Sequence, residues 1–151
     1  MAINGLGRIG RAFLKLAITR PELEVVAVND LGDSANLAYL LRYDSAYGRS
    51  GLAVKAEADR LTINGRAIKV LRESDPRRLP WRELNVAVVV ESTGRFETYA
   101  AARAHLEAGA HKVVVSAPLK DEPVPGVAGA TFLLVINEAV LATCQISSNG
   151  S

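Results

Sequence analysis

Three glycines near the start of the chain have the spacing of a phosphate-binding turn. Gly5, Gly7 and Gly10 form a Gly-x-Gly-x-x-Gly pattern between a short apolar run and a helix-forming run. Such a turn directs the N–H groups of a helix N-terminus at an anion, which the helix dipole also favours. We interpret Gly5 as permitting the turn, Gly7 as admitting the ligand, and Gly10 as bringing helix and strand together. The pattern predicts a pyrophosphate site.

An acidic residue, Asp30, follows Gly10 by twenty positions, at the end of the next apolar run. A carboxylate there accepts hydrogen bonds from both adenosine ribose hydroxyls and repels a 2′-phosphate. With the glycines it predicts a dinucleotide cofactor, NAD. NADP stays an alternative because Leu31-Gly32 leaves room. The competing interpretation is a glycine turn without a ligand.

Small or polar residues stand at the ends of four predicted strands. In an open parallel sheet, ligands bind beyond the carboxyl ends of the strands, where strand order reverses. These residues therefore predict one shared site: Asn4-Gly5, Asn29-Asp30, Ser92-Thr93-Gly94 and Ser116-Ala117.

Strands and helices alternate along the chain. We predict strands over Met1–Asn4, Glu24–Val28, Val86–Val90, Lys112–Ser116, Thr131–Ile136 and Cys144–Ser147. We predict helices over Arg8–Thr19, Ala35–Arg42 and Thr98–Ala108. Repeated strand–helix units predict an α/β, Rossmann-like, doubly wound and mostly parallel sheet, with residues 1–151 forming one dinucleotide-binding domain.

Apolar spacing predicts which helix faces are buried. In the first helix it places Ile9, Phe13, Leu16 and Ala17 on one face. The second helix turns three leucines inward, and its N-cap is predicted to be Ser34; the leucines are Leu37, Leu40 and Leu41. Gly109 is a natural stop for the third helix.

The stretch from Ser50 to Leu71 changes character, with apolar and polar residues alternating at period two. Asn64-Gly65 between alternating runs is typical of a type I′ hairpin. This region is predicted to be an antiparallel hairpin insertion with one solvated face. Pro76–Leu84, which holds the only tryptophan, Trp81, is predicted to return to the main sheet as a helical turn or loop.

Composition excludes several classes of function. A net charge of +2 with scattered basic residues, and only 5% aromatic residues, argue against nucleic acid as a partner. No apolar run approaches the ~20 residues of a membrane-spanning helix, and no signal peptide is evident. The single cysteine rules out an internal disulfide and fits a cytoplasmic protein. No residues have the spacing of metal ligands.

Seven sequence segments, which occur in the same order along the chain, resemble the amino-terminal half of phosphorylating glyceraldehyde-3-phosphate dehydrogenases of bacterial or plastid type. They are Ala2–Arg11, Val28–Leu31, Leu40–Ser45, Pro80-Trp81, Glu91–Phe96, His105–Lys112 and Val115–Pro118. The resemblance is highly specific to about Pro118 and looser over residues 119–145. Erythrose-4-phosphate dehydrogenase is a close relative, and these residues do not distinguish the two.

The resemblance implies a role for each site residue. The pyrophosphate is expected at Gly5, Gly7, Arg8 and Ile9, and the adenosine ribose at Asn29 and Asp30. Ser92, Thr93 and Gly94 are expected to line the groove from the adenine to the pyrophosphate, with Phe96 near the adenine. Ser116 is expected to approach the nicotinamide. Asn4 and Ala117 are candidate contacts because they stand at strand ends beside these residues. Ser74 stands where the family often has an arginine that reaches toward the adenine.

The implied reaction is that of a glycolytic oxidoreductase. A thiohemiacetal forms on a cysteine, hydride passes to NAD, and phosphate attacks the thioester, giving 1,3-bisphosphoglycerate. The family's Ser-Asn-Ala-Ser before the catalytic cysteine corresponds to Ser148–Ser151. We therefore expect no catalytic residue in this chain: the cysteine, the histidine base and the catalytic domain belong beyond Ser151. The chain alone is expected to bind cofactor without turnover.

Other residues with chemical potential are assigned structural roles. Cys144 is predicted to be a buried apolar residue in a strand, and His105 and His111 are predicted to lie on the surface. Val135 replaces a family glycine, so backbone geometry there is expected to differ. The family is usually a homotetramer, and the state of the isolated domain is left open. The alternative outside the enzyme class is a stand-alone nucleotide-binding module.

Overall fold

The computed structural model describes residues 1–133 and 136–149. The expected difference at Val135 and the predicted equivalence of Gly150 and Ser151 lie outside the described residues, as does the middle of the predicted Thr131–Ile136 strand. None of the helices in the described ranges is long and apolar enough to cross a membrane.

The described residues form three α-helices and a nine-stranded sheet, with a two-stranded ribbon beside it. The helices are α1 (Arg8–Ile18), α2 (Ser34–Arg42) and α3 (Tyr99–Glu107). The main-sheet strands are β1 (Ala2–Asn4), β2 (Ala27–Asn29), β5 (Val54–Ala56), β6 (Arg60–Ile63), β7 (Arg66–Leu71), β8 (Val88–Glu91), β9 (Lys112–Val115), β10 (Gly129–Phe132) and β11 (Ile146–Asn149). The ribbon pairs β3 (Tyr43–Asp44) with β4 (Gly48–Arg49).

Strand order in the main sheet is β10-β11-β9-β8-β1-β2-β7-β6-β5. The first seven of these strands are parallel, whereas β6 and β5 pair antiparallel at one edge. The chain builds outward from β1 on one side and then crosses to β8 on the other. Strand order therefore reverses at β1, and the predicted doubly wound, mostly parallel sheet with an antiparallel insertion is confirmed.

Side chains alternate between two buried faces of the sheet. Ile3 and Val28 join the apolar cluster beneath α1 and α2. Their neighbours Ala2 and Ala27 join a second cluster around Trp81. A third cluster joins α3 to β9 and β11. The central strands are thus covered on both sides, as their continuous apolar runs predicted.

The first helix buries a different face from the predicted one. Leu14, Ala17 and Ile18 are buried, whereas Ile9 and Leu16 are 58% and 67% exposed. Two apolar stripes lie about one residue apart on α1, and contact with the sheet selects the second. The prediction was wrong for Ile9 and Leu16 and right for Ala17.

The second helix is capped one residue earlier than predicted. Asp33, not Ser34, accepts hydrogen bonds from the amides of Ala35 and Asn36. A carboxylate at this position also suits the helix dipole. Ser34 is buried instead, where its hydroxyl receives a hydrogen bond from Arg72. Leu37 and Leu41 are buried as predicted, and Leu40 only partly.

Several strand boundaries also differ from the prediction, among them the start of β8, which is Val88 rather than Val86. The second strand is Ala27–Asn29 rather than Glu24–Val28, and β10 begins at Gly129, two residues before the predicted start. Cys144 is buried as predicted but precedes β11 instead of lying within it. In each case the apolar residues and the residues that pair with a neighbouring strand do not coincide, because the buried segment and the hydrogen-bonded segment begin and end at different residues.

Candidate functional site

A cavity of about 260 Å³ opens at the carboxyl ends of β1, β2 and β8. This is the edge at which strand order reverses. The cavity is lined by Asn4, Gly5, Gly7, Asn29, Asp30, Leu31, Glu73, Ser74, Ser92, Thr93, Arg95 and Phe96. Eight of the residues predicted from the sequence are thus brought together.

The turn between β1 and α1 depends on two glycines. Gly5 has φ +94°, a conformation that side chains rarely adopt. A Cβ on Gly10 would lie 1.9 Å from the carbonyl oxygen of Gly5, so the helix touches the turn through its backbone. Ser92 closes the contact by donating its hydroxyl to that carbonyl at 2.8 Å. The roles predicted for Gly5 and Gly10 in the fold agree with this geometry.

Gly7 leaves open space at the N-terminus of α1. It is the N-cap residue, and no side chain caps the helix there. A Cβ on Gly7 would meet no atom within 4 Å. The first amides of a helix have no partner within the helix. The cavity therefore offers N–H donors and room for an anion close to the backbone.

Asp30 lines the same cavity, and its carboxylate is hydrogen-bonded to the glycine turn. Its Oδ2 accepts from the amide of Leu6 at 2.7 Å, and its Oδ1 accepts from the amide of Gly32 at 2.8 Å. Each carboxylate oxygen can accept a second hydrogen bond. The carboxylate is therefore fixed in place and still able to accept from hydroxyl groups in the cavity.

A row of polar side chains lies behind the cavity, across three neighbouring strands. Asn4 pairs in register with Asn29 on one side and Glu91 on the other. All three are at most 4% exposed. Asn4 donates to Glu91 Oε2 at 2.6 Å and accepts from Asn29 at 2.7 Å. The two asparagine side chains, predicted as cofactor contacts, therefore bond within the protein.

His105 was predicted to lie on the surface, and that prediction was wrong, because the residue is completely buried. Its Nε2 lies 2.9 Å from Glu91 Oε2, and its Nδ1 accepts from the Trp81 indole at 3.0 Å. Glu91 and Trp81 therefore provide hydrogen-bond partners for the buried imidazole. The sequence of α3 alone does not indicate these partners. His111 is exposed, as predicted.

Two walls of the cavity contain residues that the sequence analysis did not assign. Glu73 and Leu31 lie on the wall near Asp30, and Arg95 lies on the wall near Thr93. Arg95 follows the Ser-Thr-Gly turn and brings a cation to the cavity, a signal present in the sequence but not used. Ser74, identified as a departure from the family pattern, lines the cavity as well.

Five predicted residues do not line this cavity. Ile9 and Gly94 are exposed beside it, and Ser116 and Ala117 follow β9 at the same sheet edge. The Ser116 amide donates to the Glu91 carbonyl at 2.9 Å, which places it one strand farther along. Arg8 lines a different cavity.

That second cavity, of about 540 Å³, lies between α1 and the β3–β4 ribbon. Its lining includes Arg8, Arg11, Lys15 and the tyrosines Tyr39, Tyr43 and Tyr47. Lys15 and Asp44 form an ion pair at 3.7 Å across it. Hydrogen bonds from the amides of Ala46 and Tyr47 lower the pKa of Asp44. No pattern in the sequence predicted this second cavity.

Comparison with known proteins gives a consistent result. The family model described as "Glyceraldehyde 3-phosphate dehydrogenase, NAD binding domain" matches residues 1–99. Over 129 residues, 85% of this chain, the sequence is 50% identical to glyceraldehyde-3-phosphate dehydrogenase of Geobacillus stearothermophilus, of which it covers 38%. Over 149 residues, 99% of this chain, it is 43% identical to the cytosolic enzyme of Trypanosoma brucei brucei, of which it covers 45%.

A third relative, glyceraldehyde-3-phosphate dehydrogenase of Kitasatospora aureofaciens, is 55% identical over 119 residues, which are 78% of this chain and 36% of that protein. The chain thus spans about two fifths of the length of these curated relatives. The family resemblance and the NAD-binding assignment made from the sequence are confirmed.

Proposed function

Because the chain belongs to the glyceraldehyde 3-phosphate dehydrogenase family through that family's NAD-binding domain, we propose a cofactor-binding role for it. Residues 1–151 form the cofactor-binding domain of a phosphorylating glyceraldehyde-3-phosphate dehydrogenase in this proposal. The observation that carries the proposal is the opening at Gly7, where unfilled space adjoins the first amides of α1. An oriented carboxylate, Asp30, lines the same cavity.

The residues around the opening fit the pyrophosphate and the ribose of an adenosine diphosphate group. Gly5, Gly7, Arg8 and Ile9 hold the pyrophosphate through the backbone at the start of α1. Asp30 accepts from the ribose hydroxyls. Asn29 acts indirectly, since its side chain bonds both the carbonyl and the amide of Glu73 and so holds the neighbouring wall.

The remaining groove residues extend the site along the sheet edge. Ser92, Thr93 and Phe96 line the second wall, with the exposed Gly94 beside it. Ser116 and Ala117 are proposed to lie toward the nicotinamide. Bound NAD supplies a hydride acceptor. The contribution of this chain is to hold and orient that cofactor beside a substrate brought by another part of the enzyme.

We propose that this chain alone binds NAD without oxidising aldehyde. The family reaction requires a cysteine thiolate that can reach the substrate. The sole cysteine of the sequence is Cys144, which is 5% exposed. Its Sγ lies 4.0 Å from the Leu141 carbonyl oxygen, and the low exposure of the residue leaves little room for a substrate to reach the thiol.

The same proposal gives the chain its partners and its setting. The catalytic domain of the parent enzyme completes the active site, and the parent assembles as a homotetramer in the cytoplasm, where it acts in glycolysis. The exposed Ile9 and Leu16 on α1 are surfaces that such contacts can cover.

Calorimetric titration with NAD tests the cofactor proposal directly. We expect saturable binding at micromolar or weaker affinity, a raised melting temperature, and no aldehyde-dependent NADH formation. An unchanged melting temperature at saturating NAD contradicts the binding site. Measurable turnover of glyceraldehyde 3-phosphate contradicts the assignment of catalysis to other residues.

Cofactor choice is tested by Asp30→Ala. Removing the carboxylate eliminates both the ribose acceptor and the repulsion of a 2′-phosphate, so NAD should bind roughly tenfold more weakly while NADP binds more tightly. Asp33→Ala is the matched control, because Asp33 is an exposed carboxylate that caps α2. If NADP binding does not improve in Asp30→Ala, the carboxylate is not the discriminator.

A further inference from the structure

We propose that Glu91 is a positioning residue that ties the two walls of the cofactor cavity to one buried carboxylate, with His105 and Trp81 fixing its orientation. This inference rests on the proposed NAD-binding function. Glu91 is 2% exposed and does not line the cavity itself. Its influence on a ligand must therefore pass through the residues that it holds.

Both oxygens of Glu91 are fully engaged. Oε1 accepts from the amide of Thr93 at 2.8 Å and from its hydroxyl at 2.6 Å. Oε2 accepts from Asn4 at 2.6 Å and from His105 at 2.9 Å. A carboxylate with four donors has no capacity left for a ligand, which makes it an internal anchor.

The direction of each hydrogen bond follows from Trp81, the last residue of the hydrogen-bonded series. The Trp81 indole can only donate, so His105 Nδ1 must accept and the imidazole proton resides on Nε2. Nε2–H then donates to Glu91. On the other side, Asn29 donates to Asn4, and Asn4 donates to Glu91. Asn4 and His105 thus donate to Glu91 directly, and Asn29 and Trp81 donate to these two residues. Asn29 also donates to the Glu73 carbonyl.

The row reaches both walls of the cavity. Thr93, on one wall, bonds directly to Glu91, and its hydroxyl in turn accepts from the Arg95 amide at 3.1 Å. Glu73, on the other wall, exchanges two backbone hydrogen bonds with the Asn29 side chain: its carbonyl accepts at 2.8 Å and its amide donates at 2.9 Å. Displacing the carboxylate therefore loosens both sides at once.

Glu91→Gln is the informative substitution because it preserves shape and changes hydrogen bonding. The new NH₂ group must face either Thr93 or the pair Asn4 and His105, and both sides present N–H donors. A buried donor facing a donor is left without a partner. We expect the Kd for NAD to rise roughly ten- to hundredfold. Glu107→Gln, on the exposed side of α3, is the matched control and should stay within about twofold.

A second substitution should reverse the loss. In Asn4→Asp combined with Glu91→Gln, the carboxylate moves one position along the row. The amide nitrogen introduced at position 91 then donates to the carboxylate introduced at position 4, while the amide oxygen at position 91 still accepts from Thr93. His105 Nε2, 3.4 Å from the side-chain nitrogen of Asn4 in the wild-type chain, gains an acceptor at that position. We expect the double variant to recover to within about threefold of wild-type affinity, whereas Asn4→Asp alone sets two carboxylates together and binds weakly.

These measurements are made well below the melting temperature of each variant, so that only folded protein is compared. Wild-type affinity in Glu91→Gln, or no recovery in the folded double variant, overturns the proposal. If the variants do not fold, ¹⁵N spectra of His105 in the ligand-free wild-type protein decide it. We expect a protonated Nε2 and an unprotonated Nδ1, and the opposite tautomer overturns the proposal. Failure of the wild-type chain to bind NAD contradicts the proposed function instead.

Discussion

Polar residues behave differently at the carboxyl edge of the parallel strands and in the antiparallel insertion. At the edge, Asn4, Asn29 and Glu91 are buried and bond one another. In the insertion, side chains alternate along β7, so that Lys69 reaches solvent between two buried apolar neighbours. One region assembles its polar groups, and the other exposes them.

The difference follows from how each part of the sheet is covered. Strands with helices on both faces have no solvated side, so a polar side chain is tolerated only where it finds a partner. A strand with one open face places polar side chains in water without such a requirement. Buried polar residues at the edge are therefore informative about a site, and the polar residues of the insertion are not.

The largest expected effect is that of Gly10→Ala at the edge. Its Cβ would stand 1.9 Å from the Gly5 carbonyl oxygen, so helix and turn must separate. Alanine in a helix normally stabilises by about 1 kcal/mol relative to glycine, so a loss identifies the contact as the cause. We expect a net loss of about 3 kcal/mol or more, a fall of roughly 6–12 °C in melting temperature. An unchanged thermal unfolding curve contradicts the close packing.

A paired substitution separates binding from folding. Gly7→Ala meets no atom and keeps an ordinary φ of −64°, so the free energy of unfolding should fall by no more than about 1 kcal/mol, as for a change of N-cap residue. NAD affinity should fall about tenfold or more. Gly65→Ala in the insertion, at φ +82°, should cost about 1 kcal/mol of stability and leave affinity unchanged. Calorimetric titration with NAD and thermal unfolding of both variants should show that Gly7→Ala mainly weakens binding and that Gly65→Ala affects only stability. Equal NAD affinity in Gly7→Ala and wild type removes the main support for the anion site.

The smallest expected effect is the pH dependence of the stability that Asp75, close to Glu73 on the cavity wall, contributes. Hydrogen bonds from the Arg77 side chain and then its amide lower the pKa of Asp75 below the usual 3.8. The ionised form is favoured in the folded state, so its contribution is present above about pH 4 and is lost as pH falls through the lowered pKa. Asp75→Asn should melt slightly below wild type at pH 7 and match it near pH 2. A constant difference across that range excludes the ionised pair as its source.

Much of the fold could be predicted because its signals are local. Gly5 and the Asn64-Gly65 turn adopt positive φ as their residue types indicate. Alternating strand and helix patterns place the sheet edge where eight predicted residues line one cavity. Helix caps and strand ends were predicted less accurately, since Asp33 and Ser34 are both suitable N-caps and apolar runs extend past the paired residues.

Which side chains meet could not be predicted from spacing. Arg8 lies in the second cavity, whereas Arg95, given no role, lies in the first. His105 on an alanine-rich helix has the pattern of a surface residue until α3 is laid over Glu91 and Trp81. These contacts join residues 14 and 24 positions apart, beyond the reach of local patterns.

The sequence by itself determined the glycine turn, the acidic residue after the second strand, and the order of strands and helices, because backbone preferences act over a few neighbouring residues. Only the tertiary structure decided that Asn4, Asn29, Glu91 and His105 form one buried hydrogen-bonded row, and that α1 buries Leu14 rather than Ile9. The physical reason is that desolvation forces polar groups to pair with whatever the packing of distant segments brings into reach.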